Sequence, residues 1–329
     1  MYQPTSQLKK FVLPVSVFVF VAFMLSMIQL KVKLPMLLLE RFFEGGGWIE
    51  IGIVASFGAF LAYNMQDIKL QAKWRMISWT VFSVWFFIQL FLGLLVSDIF
   101  LLTGDLHLPI PAMMISGPIY RGEKSIMTIL FLSTIVLTGP AWCSQLCYFG
   151  ALDNLISKGK TKRTPIANKM TIKHSVLLLV IVGTIVLRLF NVELVWAVAF
   201  GIAFGVIGLV VMLFLSRRQK RMVHCTAFCP IGTVVNYFRY INPFRIYIDY
   251  KCDSCLACTS KCKYDALGIQ NIEEKNPGFT CTLCGDCISA CKSNSIKYKF
   301  FNLQPEKAKN LYLFLTISIY SIFLAMGRI

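Results

Sequence analysis

The sequence predicts a polytopic α-helical membrane protein of about seven spans, with a small α+β domain on the cytoplasmic side. Three observations carry this. The 329 residues are 57% hydrophobic with a mean hydropathy of +0.66, more apolar than the roughly half-apolar make-up of soluble domains. All twelve cysteines fall in spaced motifs between Cys143 and Cys291, so none is left for a structural disulfide. Lysine and arginine are also distributed unevenly between alternate loops.

The apolar runs come first in order. Residues 11–30 follow Lys9 and Lys10. This run could be a signal peptide, but it carries Pro14 mid-run and no small-x-small cleavage site before Lys31, so it reads as an uncleaved first span. Residues 31–47 mix charge with leucine and end in Gly45-Gly46-Gly47, which suits a short interfacial helix and a stop. Further spans are expected at 48–63, with Glu50 near its outer end, and at 77–97, 126–142, 174–190 and 194–215. A short last one is expected at 311–326. The domain plan is a membrane part at 1–243, a cysteine-rich domain at 244–300 and a closing span within 301–329.

Charge sets the expected orientation. With the cysteine-rich domain inside, 26 of the 33 Lys and Arg lie on the inner side and 7 on the outer. The net charge of +17 is thus first an orientation signal and a contact with anionic lipid. The basic stretch 158–163 reads as a solvated loop, and no nucleic-acid partner is expected. Reduced cysteines belong on the cytoplasmic side.

Residues 252–291 hold the clearest chemistry. Cys252, Cys255, Cys258 and Cys262 read C-x2-C-x2-C-x3-C, and Cys281, Cys284, Cys287 and Cys291 repeat it. This is the ligand run of bacterial iron–sulfur domains, in which the fourth cysteine serves the other cluster. The expected ligand sets are therefore Cys252, Cys255, Cys258 and Cys291 for one [4Fe–4S] cluster, and Cys281, Cys284, Cys287 and Cys262 for the other. Zinc would favour separated C-x2-C pairs, and a disulfide framework does not suit the inner side. Phe244, Ile246, Ile248 and Tyr250 alternate before the first run, as a strand would; Ala266, Ile269 and Ile296 follow the runs.

A second constellation lies nearer the spans. Cys143 and Cys147 match Cys225 and Cys229 at an offset of 82 residues, and Gly150 matches Gly232 as Asn154 matches Asn236. The shared pattern is C-x3-C-x2-G-x3-N, an internal repeat suggesting two equivalent halves that meet. Spacing of i, i+4 puts two sulfurs on one helical face or around one turn. Four thiolates are the count for a third iron–sulfur centre. The alternatives are buried structural thiols and a dithiol that shuttles a disulfide.

On these residues, 244–300 resembles the bacterial two-cluster ferredoxins, which implies a strand, cluster loop, short helix and strand in each half. That family usually has Pro after the fourth cysteine; here Lys263 and Lys292 stand there, and a lysine beside a cluster should raise its potential. Over about 75–300, the paired motifs with Pro230 and the eight later cysteines resemble the polytopic membrane ferredoxins of the NapH and NosR type. Tyr148 departs, standing where the first motif would have Pro. The resemblance implies an iron–sulfur electron-transfer protein of the bacterial inner membrane. Such a protein relays electrons between the quinone pool or a cytoplasmic donor and a partner oxidoreductase, as a subunit rather than a stand-alone enzyme. An assembly reductase for a metalloenzyme and a membrane redox sensor are the alternatives. With 15 basic and 7 acidic residues between Arg217 and Asn310, the expected redox partner is acidic.

The remaining signals are weaker. His107, His174 and His224 lie in loops or near the interface, so no haem is expected. His224 precedes Cys225 and could donate a hydrogen bond there. Asp98, Asp105, His107 and Arg121 cluster in an outer loop that could release quinol protons but reads first as solvated. No phosphate loop, dinucleotide fingerprint or hydrolase elbow occurs.

Overall fold

The computed structural model describes residues 7–101, 110–122, 126–159 and 165–326. Asp105, His107 and all but the start of the basic stretch 158–163 lie outside the described residues. In chain order the helices are α1 (Gln7–Lys31), α2 (Leu38–Phe42), α3 (Gly46–Met65), α4 (Ile68–Leu95), α5 (Met113–Arg121), α6 (Ile126–Thr138), α7 (Trp142–Gln145), α8 (Tyr148–Ile156), α9 (Lys169–Leu189), α10 (Leu194–Val211), α11 (Arg217–Gln219) and α12 (Pro230–Tyr237). Strand β1 (Phe244–Ile248) follows, then α13 (Ile269–Glu273), α14 (Asp286–Ala290), β2 (Ile296–Phe300) and α15 (Pro305–Ala325). Among the described residues, seven helical stretches are long and apolar enough to cross a membrane: Lys10–Lys31, Gly46–Met65, Ile68–Leu95, Phe131–Ile156, Lys169–Leu189, Leu194–Gln219 and Pro305–Ala325.

The chain divides into two compact units, Met1–His107 with Asn302–Ile329, and Leu108–Phe301. In the first, α1, α3 and α15 pack on one another and α4 packs on α3. Val17, Val21, Leu25 and Leu313 are fully buried between them. Gly58 marks the closest approach, because a Cβ there would sit 2.6 Å from Ser321 Oγ and 3.3 Å from Val17 Cγ1. The Tyr320 hydroxyl donates to the Ser78 carbonyl at 2.8 Å, tying α15 to α4. Glu50 is buried and accepts the Leu39 amide at 2.8 Å, so its carboxylate caps the short α2. The helix α4 begins at Ile68 rather than near 77. Asp67 caps it by accepting the Lys69 amide at 2.8 Å, so Lys69 and Lys73 stand on its exposed first turns, and buried Arg75 stacks over Trp79 at 5.2 Å.

The second unit carries every cysteine. Its fourth apolar stretch is not one helix to Trp142. Gly139 turns left-handed at φ 58° before Pro140, and the chain restarts as α7 and α8. The Asn242 amide reaches into this break, donating to the carbonyls of Val136 at 3.0 Å and Leu137 at 3.3 Å, while its oxygen accepts the Phe244 amide at 2.9 Å. One side chain thus closes the end of α6 and starts β1. The strands β1 and β2 pair antiparallel with Phe244 opposite Phe300, Ile246 opposite Tyr298 and Ile248 opposite Ile296. Phe244, Ile246, Ile248 and Ile296 are buried as their alternation requires. The alternation stops there: Tyr250 is 93% exposed, and Ile269 opens a helix at 62% exposure instead of continuing a strand.

Candidate metal centres

The two later cysteine runs share a backbone. At an offset of 29 residues, Ser254 and Leu283 are left-handed at φ 52° and 56°, Leu256 and Gly285 at 58° and 81°, and Asp265 and Asn294 at 51° each. Left-handed leucine costs about 1–3 kcal/mol and persists where surroundings impose it, as at ligand sites. The fourth cysteines match as well: Cys262 Sγ accepts the Ala266 amide and Cys291 Sγ the Ser295 amide, each at 3.3 Å. Such N–H···S bonds stabilise a ligating thiolate.

The structure brings Cys252, Cys255, Cys258 and Cys291 together as the lining of one small pocket, with Asp253, Ile248, Leu256, Ile272 and Ile296 beside them. Burial first, and then the charges of Cys291, Cys252 and Cys255, push the Cys258 thiol up to about 11. Cys287 is pushed well above the ordinary range by burial and then by Cys284, Cys281 and Cys262. Cys291 thus shares a pocket with the first three cysteines of the other run, and Cys262 lies near enough to Cys281 and Cys287 for their charges to interact. Among the described residues, no three His, Cys, Asp or Glu side chains converge to share a single metal ion; a four-iron cubane needs four thiolates held wider apart, at its corners.

The paired motifs near the spans also share a backbone. Cys147 and Cys229 have the same angles, φ −75° and ψ 114°. Each caps a helix, α8 or α12, with its sulfur accepting a glycine amide three residues on: Gly150 at 3.4 Å and Gly232 at 3.3 Å. At the second copy there is also little room for a side chain. A Cβ on Gly232 would lie 3.1 Å from the Cys225 carbonyl oxygen. Tyr148 occupies the first helical position that Pro230 takes in the second copy. Proline is favoured there because its fixed φ suits a helix start, and the shared Cys147 and Cys229 angles show that the first copy makes the same turn with tyrosine. The i, i+4 spacing therefore wraps each pair around a helix break rather than along a continuous face.

The four thiols of these motifs lie together. Burial raises the Cys225 thiol well above its usual range, followed by Asp153, Cys229, Cys147 and Cys143. Cys229 is raised by burial and pulled back by the Gly232 amide and Lys173. Such thiols are neutral without a metal, so metal uptake releases their protons.

Several residues of this site gave no sequence signal. Asp153 is fully buried on α8 and accepts the Cys225 amide at 3.0 Å. Lys173, on α9, is 1% exposed, and its Nζ donates to the Thr226 carbonyl between Cys225 and Cys229 at 3.3 Å. Both were unreadable because their partners are distant in the chain. His224 is buried, packs on Phe149 with ring centroids 6.3 Å apart, and has no hydrogen-bond partner on either ring nitrogen. Burial, with the Lys173 charge second, pushes its imidazole down to about 4, so it is neutral. His174 is half-exposed and shares a hydrogen bond of 2.7 Å with the Tyr237 hydroxyl.

The cysteine runs dock on the paired motifs through a short set of contacts. The Tyr264 hydroxyl, two residues after Cys262, donates to the Cys143 carbonyl at 3.1 Å. The Ser144 hydroxyl donates to the carbonyl of Thr282, beside Cys281, at 3.0 Å. Lys263 donates to both the carbonyl and the side-chain oxygen of Asn154 at 2.8 Å. Lys263 therefore stands where a ferredoxin would have proline because that position grips the Asn of the membrane motif, whereas Lys292 is exposed. Buried Asp265 completes the junction, accepting from Arg221 at 2.6 Å and Lys169 at 2.8 Å. Replacing Asp265 by Ala leaves Arg221 buried without that partner. We expect a loss of about 3–5 kcal/mol, read as a fall in thermal midpoint and as faster proteolysis of the 252–300 stretch.

Comparison with known proteins bears on the same place. A family profile described as a 4Fe-4S binding domain matches residues 125–165 and 198–246. Those two segments hold Cys143, Cys147, Cys225 and Cys229, and end before the run that starts at Cys252. An uncharacterized protein of Methanocaldococcus jannaschii is 27% identical over 203 residues, covering 56% of this chain and 76% of that protein. No solved structure matches. A 4Fe-4S binding domain within a chain of seven candidate membrane-spanning helices fits a polytopic membrane iron–sulfur protein.

Proposed function

We propose that this chain is a membrane electron relay with three [4Fe–4S] centres. The ligands are Cys143, Cys147, Cys225 and Cys229 at the membrane; Cys281, Cys284, Cys287 and Cys262 next; and Cys252, Cys255, Cys258 and Cys291 outermost. The observation that carries this reading is the junction of Tyr264 with Cys143 and of Ser144 with Thr282, which sets the second ligand set against the membrane one. A bound cluster supplies one-electron transfer. The chain's own residues hold the ligands at fixed separation, donate backbone amides to their sulfurs and exclude water with Ile248, Ile272 and Ile296. The 244–300 stretch acts as a ferredoxin-like two-cluster domain in this reading. Cys255 is exposed, so exchange with a redox partner takes place at its edge, and the basic excess of the region favours an acidic partner. The far partner is the quinone pool or a membrane oxidoreductase.

The test is turnover. Anaerobic protein in liposomes, given a soluble low-potential donor, should cycle all centres between reduced and oxidised states with unchanged spectra, at a rate that falls as salt rises. Clusters that reduce once and are then lost on oxidation would instead mark a sensor. We further place the 252–300 stretch on the cytoplasmic side of a bacterial inner membrane, on the basic-residue asymmetry. A membrane-impermeant thiol or lysine reagent should therefore label apo-protein Cys255 or Lys292 only in inverted vesicles, and labelling in right-side-out vesicles would reverse the orientation.

A further inference from the structure

Lys173 is among the largest fully buried side chains of the described residues, at 1% exposure, on a helix whose other buried residues are Val180 and Thr184. A buried ammonium requires a counter-charge. Among the described residues, no carboxylate lies within ion-pair distance of it. Its hydrogen bond goes instead to the carbonyl of Thr226, inside the second C-x3-C loop, at 3.3 Å. Its Nζ stands 3.6 Å from where a Cβ on Gly232 would be, beside the amide that Cys229 Sγ accepts. Cys225 and Cys229 flank the carbonyl that it binds, so its Nζ lies inside the loop of the second motif. The Thr233 hydroxyl, donating to the Lys173 carbonyl at 3.4 Å, holds α9 against α12 and so fixes the ammonium in place.

From this geometry we propose that Lys173 is the resident counter-cation of the Cys143, Cys147, Cys225 and Cys229 centre and raises its reduction potential. The proposal rests on the reading that these four thiolates carry a [4Fe–4S] cluster. Such a cluster, with its four thiolates, has a charge of about −2 when oxidised and −3 after taking one electron. The added electron is stabilised by a fixed positive charge in a medium of low dielectric, where interactions are strong. The amides of Gly150 and Gly232 act in the same direction, but each is a dipole, whereas Lys173 is a full charge.

Lys173→Met keeps the length of the side chain and removes the charge; Lys173→Arg keeps the charge. The full-length protein is purified anaerobically, iron and acid-labile sulfide are measured, and each centre is titrated by EPR against mediators, with dithionite as electron donor. We expect Lys173→Met to hold the iron of the parent, with the midpoint of one centre moved to lower potential and the other two unmoved. Lys173→Arg should lie near the parent. A Lys173→Met protein with full iron and all midpoints unchanged overturns the proposal. If Lys173→Met loses the centre, Lys173→Gln decides by the same titration: a lowered midpoint supports the proposal and a parental one overturns it. Loss in both neutral variants with retention in Lys173→Arg also supports it, and loss in all three overturns it in favour of packing. Failure of the underlying reading shows separately, as a parent protein whose iron is unchanged by Cys143→Ser.

Discussion

Serine at any one of Cys143, Cys147, Cys225 or Cys229 should remove about four irons per protein, the content of one [4Fe–4S] cubane, while the signals of the other two centres persist. The expectation follows from convergence. Cys229, Cys147 and Cys143, after burial and Asp153, all act on Cys225, so the four thiols are neighbours, and in the proposed reading each is a quarter of one ligand set. The sulfurs of Cys147 and Cys229 are also held by matching glycine amides, which a structural thiol does not need. The two alternatives predict other results. Structural thiols lose stability with no change in iron, and a dithiol shuttle keeps its iron but traps a mixed disulfide. Iron that stays at the parental level in all four variants would remove the third centre.

Crossed ligation gives the second large effect. Cys291→Ala should abolish the same EPR signal as Cys252→Ala, and Cys262→Ala the same signal as Cys281→Ala, with about four irons lost each time. The cavity that joins Cys291 to Cys252, Cys255 and Cys258, and the influence of Cys262 on Cys287, both point this way. If Cys291→Ala instead matched Cys281→Ala, each run would hold its own cluster and the crossed sets would be abandoned. The spin–spin coupling between the two reduced centres should vanish in every one of these variants, since one partner of the pair is gone.

The cysteine motifs were legible in the sequence, whereas the residues around them were not. Cysteine spacing is a local property, so the runs from Cys252 and Cys281 and the repeat at 143 and 225 stand out in one dimension. The seven apolar stretches stand out for the same reason. Their ends do not. The helix α4 starts at Ile68 because Asp67 caps it, and its charged first turn hides that start from a hydropathy scan. The break at Gly139 depends on Asn242, about a hundred residues away. Lys173, Asp153 and Asp265 have partners on other elements, and nothing local distinguishes them from interfacial or loop residues. Leu256 and Leu283 adopt left-handed backbone that their residue type argues against. The replacement of proline by Lys263 was visible at once, but its reason, the grip on Asn154, needed three dimensions.

The packing of α15 on α1 and α3 has a consequence for biosynthesis. The ribosome makes α1 and α3 early and α15 only after the whole of Leu108–Phe301. Until then the seam at Gly58 and Val17, which Ser321 later fills, stands open in the membrane. The cysteine-bearing unit is complete before that seam closes, so its metal can be loaded while the first unit is still unfinished. Contacts this distant in sequence form late. A nascent chain halted before Asn302 would thus carry the whole of Leu108–Phe301 and a first bundle that still lacks α15.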